Sequence, residues 1–197
     1  MKRLILALTV AALAAGCASN LPPAPRSAAV PEHRYLIGPG DTLNIVVWRN
    51  PELSMTVPVR PDGRITAPLI EDMVAIGKNP TELAREMEGR LKRFIQDPVV
   101  TVVVQNFVGP TSEQIRVVGQ ASKPAAIPYR QNMTLLDVMI AVGGITEFAA
   151  GNRAVLVRQN EGKEYNVRLR DLLKRGDVSA NVEMRPGDVI IIPESWF

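Results

Sequence analysis

Residues 35–48 read Tyr-Leu-Ile-Gly-Pro-Gly-Asp-Thr-Leu-Asn-Ile-Val-Val-Trp, and their pattern gives the strongest indication of the fold in the first half of the chain. Within it, Leu43, Ile45 and Val47 recur with a period of two. That period predicts a β-strand with one buried face. We therefore expect the folded part of the chain to begin at Tyr35 and to enter a strand directly.

A tripeptide turn precedes this strand and recurs near the other end of the chain. Its two copies are Pro39-Gly40-Asp41 and Pro186-Gly187-Asp188, each just before an apolar strand. Glycine reaches backbone angles that other residues avoid, and an aspartate side chain accepts hydrogen bonds from nearby backbone N–H groups. Since turn chemistry accounts for both copies, we interpret them as structural turns and markers of architecture, not as ligand sites.

A third turn, Pro61-Asp62-Gly63, lies between two short apolar segments. Proline presets φ at the start of a turn and glycine allows a positive φ, so this pattern predicts a hairpin with arms 55–59 and 64–69. Pro58 and Pro68 fall inside the arms. Because proline donates no backbone hydrogen bond, we expect both arms to expose an edge there.

A helix should follow, since Asn79 suits an N-cap, Pro80 suits the first helical position and Glu82 completes a capping box. Asp97-Pro98 should end it. The residues expected on its apolar stripe are Leu83, Met87, Leu91, Phe94 and Ile95. The β-branched run 99–104 then predicts a buried strand.

A second unit should start near Ile115. The strands predicted in it cover residues 115–118, 126–128, 154–158, 165–167 and 189–193. Thr134 and Asp137 form a capping box for a helix that Gly143-Gly144 should end, and 171–173 suggests a brief helical turn. The fold class is therefore α+β, with two small mixed domains over residues 35–112 and 113–197.

The beginning of the chain has the layout of a secretory signal. A charged start and an apolar run lead into Gly16-Cys17, and the run is too short to span a bilayer. We interpret residues 1–16 as a lipoprotein signal peptide and Cys17 as the lipid attachment site; the alternative is a plain secretory signal. Residues 17–34 form a proline- and alanine-rich linker ending near His33, which we read as a solvated surface residue.

Composition excludes some classes of function. The chain has 23 basic and 20 acidic residues, and removing Lys2 and Arg3 with the signal leaves a nearly neutral body. Such a body lacks the field that attracts nucleic acid, so we expect no nucleic-acid partner. Cys17 is the single cysteine, so no intrachain disulfide can form.

Two groups of motifs resemble a known family. Residues 35–43 followed by 59–65 resemble the polysaccharide export domain of outer-membrane polysaccharide exporters. Residues 117–125 and 134–137, then 143–145 and the final turn 186–188, resemble the β-grasp (SLBB-like) module that follows that domain. Together these motifs cover most of the chain, and their order and spacing make the resemblance specific.

The resemblance implies a conduit for capsular or extracellular polysaccharide. Family members form rings of identical subunits, often octamers, that are lipid-anchored at the outer membrane with their body in the periplasm. It implies an inner-membrane polysaccharide co-polymerase or synthase as a partner. Ala18 after the cysteine fits sorting to the outer membrane.

One difference from long family members affects the expected partners. The sequence ends soon after its last strand with a single β-grasp module, which resembles short exporters that accompany exosortase-type loci. We therefore expect a separate outer-membrane β-barrel as a partner. Trp196 and Phe197 would either lie at the lipid interface or cover a neighbouring subunit.

Other classes of function fit the sequence less well. With Cys17 lipidated and His33 in the linker, the body offers no Ser-His or Cys-His pair, and we assign no catalytic, cofactor-binding or metal-binding residue. The alternative is a lipoprotein that binds peptidoglycan or another glycan, because 39–43 also resembles the start of a LysM repeat. A LysM repeat should enter a helix there, whereas residues 44–48 alternate as a strand does.

We assign no binding role to two further groups of side chains, one basic and one aromatic. A basic cluster of the second unit could contact an acidic polymer or lipid head groups, but we favour a solvated face interleaved with acids. Its members are Arg153, Arg158, Lys163, Arg168, Arg170, Lys174 and Arg175. Trp48 and Tyr129 could stack on sugars, but aromatic residues next to strands usually pack. We assign neither as a binding residue.

Overall fold

The computed structural model describes residues 21–27 and 34–195. They form an α+β fold with two domains, as predicted. The strands are β1 Thr42–Val47, β2 Met55–Pro58, β3 Arg64–Ala67, β4 Ile70–Val74, β5 Val100–Asn106, β6 Ile115–Gly119, β7 Ala125–Ile127, β8 Ala154–Arg158, β9 Lys163–Val167 and β10 Val189–Ile192. The α-helices are α1 Pro80–Leu91, α2 Leu135–Ala141 and α3 Leu169–Arg175. Within the described ranges, none of the helices has the length and hydropathy needed to cross a bilayer.

Strand β1 is the centre of the first domain. It pairs antiparallel with β2 on one side and β5 on the other. Its residues Leu43, Ile45 and Val47 are buried, as the period of two predicts, and they pack with α1 in the first hydrophobic core. Because the LysM alternative requires a helix at this position, the observed strand argues against it.

The predicted hairpin around Pro61-Asp62-Gly63 is wrong. Strand β2 pairs with β1, while β3 pairs with β4, so the two predicted arms belong to different sheets. The turn itself is present, with Gly63 N–H donating to the Arg60 carbonyl over 2.8 Å. The true hairpin turns at Pro68 and Leu69, where Leu69 has a positive φ of 63°. Strand β4 was not predicted.

Helix α1 begins as predicted but ends earlier. Asn79 and Glu82 exchange the two hydrogen bonds of a capping box. The helix ends at Leu91, and the chain continues in tight turns that lead to Asp97, which has a positive φ of 44°. Phe94 consequently leaves the apolar stripe and is exposed, whereas the predicted core residues before it are buried.

The second domain contains a five-stranded sheet of order β7-β6-β10-β8-β9. Strands β6 and β10 run parallel, and the other neighbours are antiparallel. The predicted capping box of Thr134 and Asp137 opens α2, whose inner side is buried in the second core. Helix α3 is longer than the helical turn that the sequence predicts at 171–173.

Residues 21–27 of the predicted linker lie against the second domain. Asn166 of β9 donates its backbone N–H to the Pro22 carbonyl over 2.9 Å and accepts from Ala24 N–H over 3.3 Å. Ala24 also packs on the second core. This part of the linker is therefore a short parallel extension of the sheet, and its prolines offer no N–H groups for a further strand.

The early end of α1 gives a testable difference between Leu83 and Phe94. Leu83→Ala should lower the free energy of unfolding by about 2–5 kcal/mol, because it opens a cavity in the first core. Phe94→Ala should change it by less than about 0.5 kcal/mol, because this ring is exposed. Urea unfolding followed by circular dichroism measures both. Equal losses for the two variants would contradict the boundary at Leu91.

Candidate functional site

The first acidic turn, residues 38–41, depends on a hydrogen bond from the backbone to its own aspartate. Gly40 has φ +88°, which turns the chain sharply ahead of β1. The Asp41 carboxylate then accepts the backbone N–H of Gly38 through Oδ2 over 2.9 Å. Asp41 is fully buried, so its oxygens need donors from the protein itself.

The second acidic turn, residues 185–188, repeats this geometry ahead of β10. Gly187 has φ +81°, and Asp188 Oδ2 accepts the backbone N–H of Arg185 over 2.8 Å. Asp188 is also buried. The two copies of the tripeptide are therefore the same turn, one at the start of a core strand in each domain.

Asp41 has three further donors, two of which come from the segment that joins the domains. We call residues 107–114 the interdomain connector. Asp41 Oδ1 accepts the backbone N–H groups of Val108 over 2.7 Å and Gly109 over 2.9 Å, and Oδ2 accepts the hydroxyl of Tyr35 over 2.6 Å. Burial and this hydrogen bond raise the pKa of Tyr35 above its usual value, so the hydroxyl stays a donor.

Both acidic turns approach the interdomain connector very closely. A Cβ atom on Gly38 would lie 2.0 Å from the carbonyl carbon of Gly109, and one on Gly187 would lie 2.6 Å from the carbonyl oxygen of Ser112. The Asp188 carbonyl also accepts the backbone N–H of Arg116 over 3.0 Å. The connector is therefore held between one turn from each domain.

Asp188 faces a buried cation that the sequence analysis placed on a solvated surface. Arg158 is 2% exposed, and its Nε lies 4.0 Å from Asp188 Oδ2. Its Nη2 donates to the Glu183 carbonyl over 3.1 Å, and its guanidinium lies 5.4 Å from the ring centre of Tyr165. The interpretation as a solvated face is wrong for this residue. The alternation of Ala154, Leu156 and Arg158 in β8 points all three to the core.

Burial determines how Asp188 titrates. Removal from water disfavours the charged carboxylate and raises its pKa to about 6, against the opposing effects of the Arg185 N–H and the Arg158 charge. The second turn is thus built around a carboxyl group that titrates close to neutral pH.

The remaining predicted site residues lie elsewhere. Pro61, Asp62 and Gly63 form a turn of the first domain in which Pro61 and Asp62 are exposed and Gly63 is buried. Asp62 pairs with Arg60, and the structure does not bring this turn to the connector. Cys17 lies outside the described residues, as do His33, Trp196 and Phe197. In the two described ranges, no group of three or more His, Cys, Asp or Glu side chains is arranged to hold a metal ion.

The two aromatic residues singled out in the sequence have different environments. Tyr129 is buried, as expected for packing, whereas Trp48 is 66% exposed, so the packing interpretation is wrong for Trp48. Sequence reasoning also missed the roles of Tyr35 and Gly109, because no local pattern shows that residue 109 donates to residue 41.

These features define a class of protein: a two-domain α+β chain in which a β-grasp domain follows a smaller mixed domain, with an acidic turn in each. Family models agree with this division. Residues 29–105 match the polysaccharide biosynthesis/export protein family, and residues 113–192 match the SLBB domain. The two matches together cover most of the chain, which belongs to the polysaccharide biosynthesis/export protein family.

Several curated relatives carry matching names. The EPS I polysaccharide export outer membrane protein EpsA of Ralstonia nicotianae is 26% identical over 184 residues, covering 81% of this chain and 47% of EpsA. The capsule polysaccharide export outer membrane protein CtrA of Neisseria meningitidis is 28% identical over 166 residues, covering 71% and 42%. The polysialic acid transport protein KpsD of Escherichia coli is 22% identical over 158 residues, covering 80% and 28%. The chain spans less than half the length of each of these relatives.

The close approach at Gly38 predicts a large effect of one methyl group. Gly38→Ala should destabilise the protein by about 3 kcal/mol or more, because the new Cβ meets connector backbone that cannot rotate away. Gly89→Ala is the matched control: a Cβ there meets nothing within 4 Å in α1, so it should stabilise by about 0.5–1 kcal/mol. Urea unfolding of both variants is the measurement. A Gly38→Ala variant as stable as the wild type would show that the connector contact is not constraining.

The raised pKa of Asp188 predicts a pH-dependent difference between wild type and Asp188→Asn. The folded pKa of about 6 exceeds the unfolded value of 3.8, so the folded state binds more protons between them. The stability that the neutral carboxyl contributes is fully present at a pH below the unfolded-state pKa of Asp188, and it is lost as the pH rises through the folded-state pKa of about 6.

Asparagine keeps the acceptor for the Arg185 N–H and cannot ionise. Relative to wild type, Asp188→Asn should therefore gain up to about 3 kcal/mol of stability between about pH 4 and about pH 7. Urea unfolding at several pH values tests this. A constant difference across the range would contradict it.

Proposed function

We propose that this chain is a component of an outer-membrane exporter that conducts capsular or extracellular polysaccharide, and that it does so without catalysis. Two family models support this proposal. They match consecutive parts of the chain, with the polysaccharide export domain first and the SLBB domain after it. Relatives named as polysaccharide export proteins match across both parts. This consecutive double match is the observation that carries the proposal.

The buried aspartate of the first turn supports a structural role over an enzymatic one. Asp41 accepts four hydrogen bonds, from Tyr35, Gly38, Val108 and Gly109, and is fully buried. A carboxylate with this coordination holds backbone in place and is not positioned to exchange protons with a substrate.

The proposed location is the outer membrane, with lipid attached to Cys17 and the body in the periplasm. The support is the signal-like sequence before Cys17 and the names of the relatives. Two or more acyl chains suffice for stable anchoring. The described part of the linker binds the edge of β9, so the anchor joins the body close to the second domain.

Assembly into a ring of identical subunits is part of the proposal. Strand β5 lies at the edge of the first sheet, and such edges form pairs with other chains. Large apolar side chains of the second domain, Ile140, Phe148 and Val178, are also exposed and would be covered in an assembly. Partners supplying the polymer would be a co-polymerase or synthase at the inner membrane.

Deleting the gene tests this function. We expect the polysaccharide to disappear from the cell surface and either to accumulate in the periplasm or to stop being made, because its conduit is missing. Fractionation of surface and periplasmic pools measures this, with the wild-type gene restored as the control. Unchanged surface polymer would contradict export and would favour the glycan-binding lipoprotein instead.

The lipid anchor is tested in the same strain with Cys17→Ala. Without the acyl chains the protein should leave the outer-membrane fraction, and surface polysaccharide should fall well below the level of the restored strain. Full export by a lipid-free, monomeric protein would contradict both the anchor and the ring.

A further inference from the structure

Among the residues that the structure describes, none covers the outer face of the first sheet. Its members are the outward residues of β1, β2 and β5, together with Trp48 just after β1, which we call the open sheet face: Thr42, Asn44, Val46, Trp48, Thr56, Pro58, Thr101, Val103 and Gln105. Val46 is 39% exposed, Val103 47% and Trp48 66%. The other face of the same strands is buried against α1.

The open sheet face carries no charged side chain. The outward face of α1 in the same domain is different, because Arg85 pairs with Glu88 and Arg90 pairs with Glu86 there. Charge is thus segregated within the domain. One surface is ionic, and the other combines hydroxyl and amide groups with β-branched residues and an indole.

The strand register arranges these side chains in rows. Asn44 lies opposite Thr56 on β2 and opposite Val103 on β5, and Val46 lies opposite Thr101. Trp48 extends the same side of β1, and its backbone N–H donates to the Val99 carbonyl over 2.9 Å, so the ladder continues to this residue. The face is therefore flat, with hydrogen-bonding groups across its middle and an aromatic ring at one end.

We propose that the open sheet face contacts the polysaccharide in transit, with Trp48 packing against sugar rings and Asn44, Thr101 and their neighbours hydrogen-bonding to sugar hydroxyls. This rests on the proposed export function. Amide and hydroxyl side chains both donate and accept, as sugar hydroxyls do. An uncharged face matches uncharged hydroxyl groups, and an indole offers an apolar platform to the C–H side of a pyranose.

A second copy of this chain fits the face less well. Three strands about 4.8 Å apart and about 20 Å long present roughly 300 Å². A stable protein interface buries about 800 Å² on each partner. The face is too small for a subunit contact by itself, whereas a single polymer chain needs a narrow path.

The exposure of the face also suits transport. Contacts of this kind are individually weak and are exchanged with water, so a polymer can be released at each step instead of remaining bound. An enclosed pocket would hold one sugar unit and slow the movement of the rest of the chain.

The test compares Trp48→Ala and Asn44→Ala with Phe94→Ala, which removes an exposed aromatic ring of the same domain away from this face. The probe is the polysaccharide secreted by the wild-type strain, cast into native gels in which binding retards the protein. Trp48→Ala should bind about tenfold more weakly, and Phe94→Ala should bind as wild type does. Thermal unfolding confirms that each variant is folded. Thr101→Arg disrupts the open sheet face in a second way, by adding a charged side chain without removing a packed group.

The same variants are then placed in the deletion strain. Reduced surface polysaccharide with Trp48→Ala and Thr101→Arg, and normal export with Phe94→Ala, would support the proposal. If the deletion blocks export but Trp48→Ala binds and exports as wild type does, the export function stands and the proposed contact between the open sheet face and the polysaccharide is wrong. If light scattering shows that the variants no longer form oligomers while they still bind polysaccharide, the face is a subunit interface and the proposal is wrong. Normal export in the deletion strain would reject the export function itself.

Discussion

The buried carboxylate of Asp41 is the constraint on which the arrangement of the first domain and the connector depends. A carboxylate removed from water is costly unless donors surround it, and Asp41 has four. Two of them belong to Val108 and Gly109, which follow the last strand of the domain. Satisfying this one side chain therefore fixes where β1 begins and how the chain leaves β5 toward the second domain.

The second domain uses the same turn with a different electrostatic balance. Asp188 accepts one backbone N–H, from Arg185, and faces the buried guanidinium of Arg158 at 4.0 Å. Burial outweighs these contacts and its pKa rises to about 6. Similar backbone geometry thus yields one turn whose carboxylate has four donors and one whose carboxylate has a single backbone donor, because the connector donates N–H groups to Asp41.

Local patterns predicted the elements but not their partners. The alternation of Leu43, Ile45 and Val47 and the capping boxes at Asn79 and Thr134 are written in adjacent residues, and the structure confirms them. The hairpin prediction is wrong because tertiary contacts determine which strands pair, and β2 pairs with β1 and not with β3. Two of the four donors of Asp41 lie at residues 108 and 109, too far along the chain for any local pattern to show. The inward position of Arg158 follows from the period of β8, although its charge favours the surface.

The distribution of charge fits the export function proposed above. Buried carboxyl groups hold the turns, paired charges cover α1, and the outer face of the β2-β1-β5 sheet remains neutral and open. The proposed conduit would have to keep its shape while its cargo moves, so the strong interactions should lie within the framework and the weak ones should face the polymer. The first domain meets both requirements with one sheet, because its inner face packs the core and its outer face offers hydroxyls, amides and the indole of Trp48.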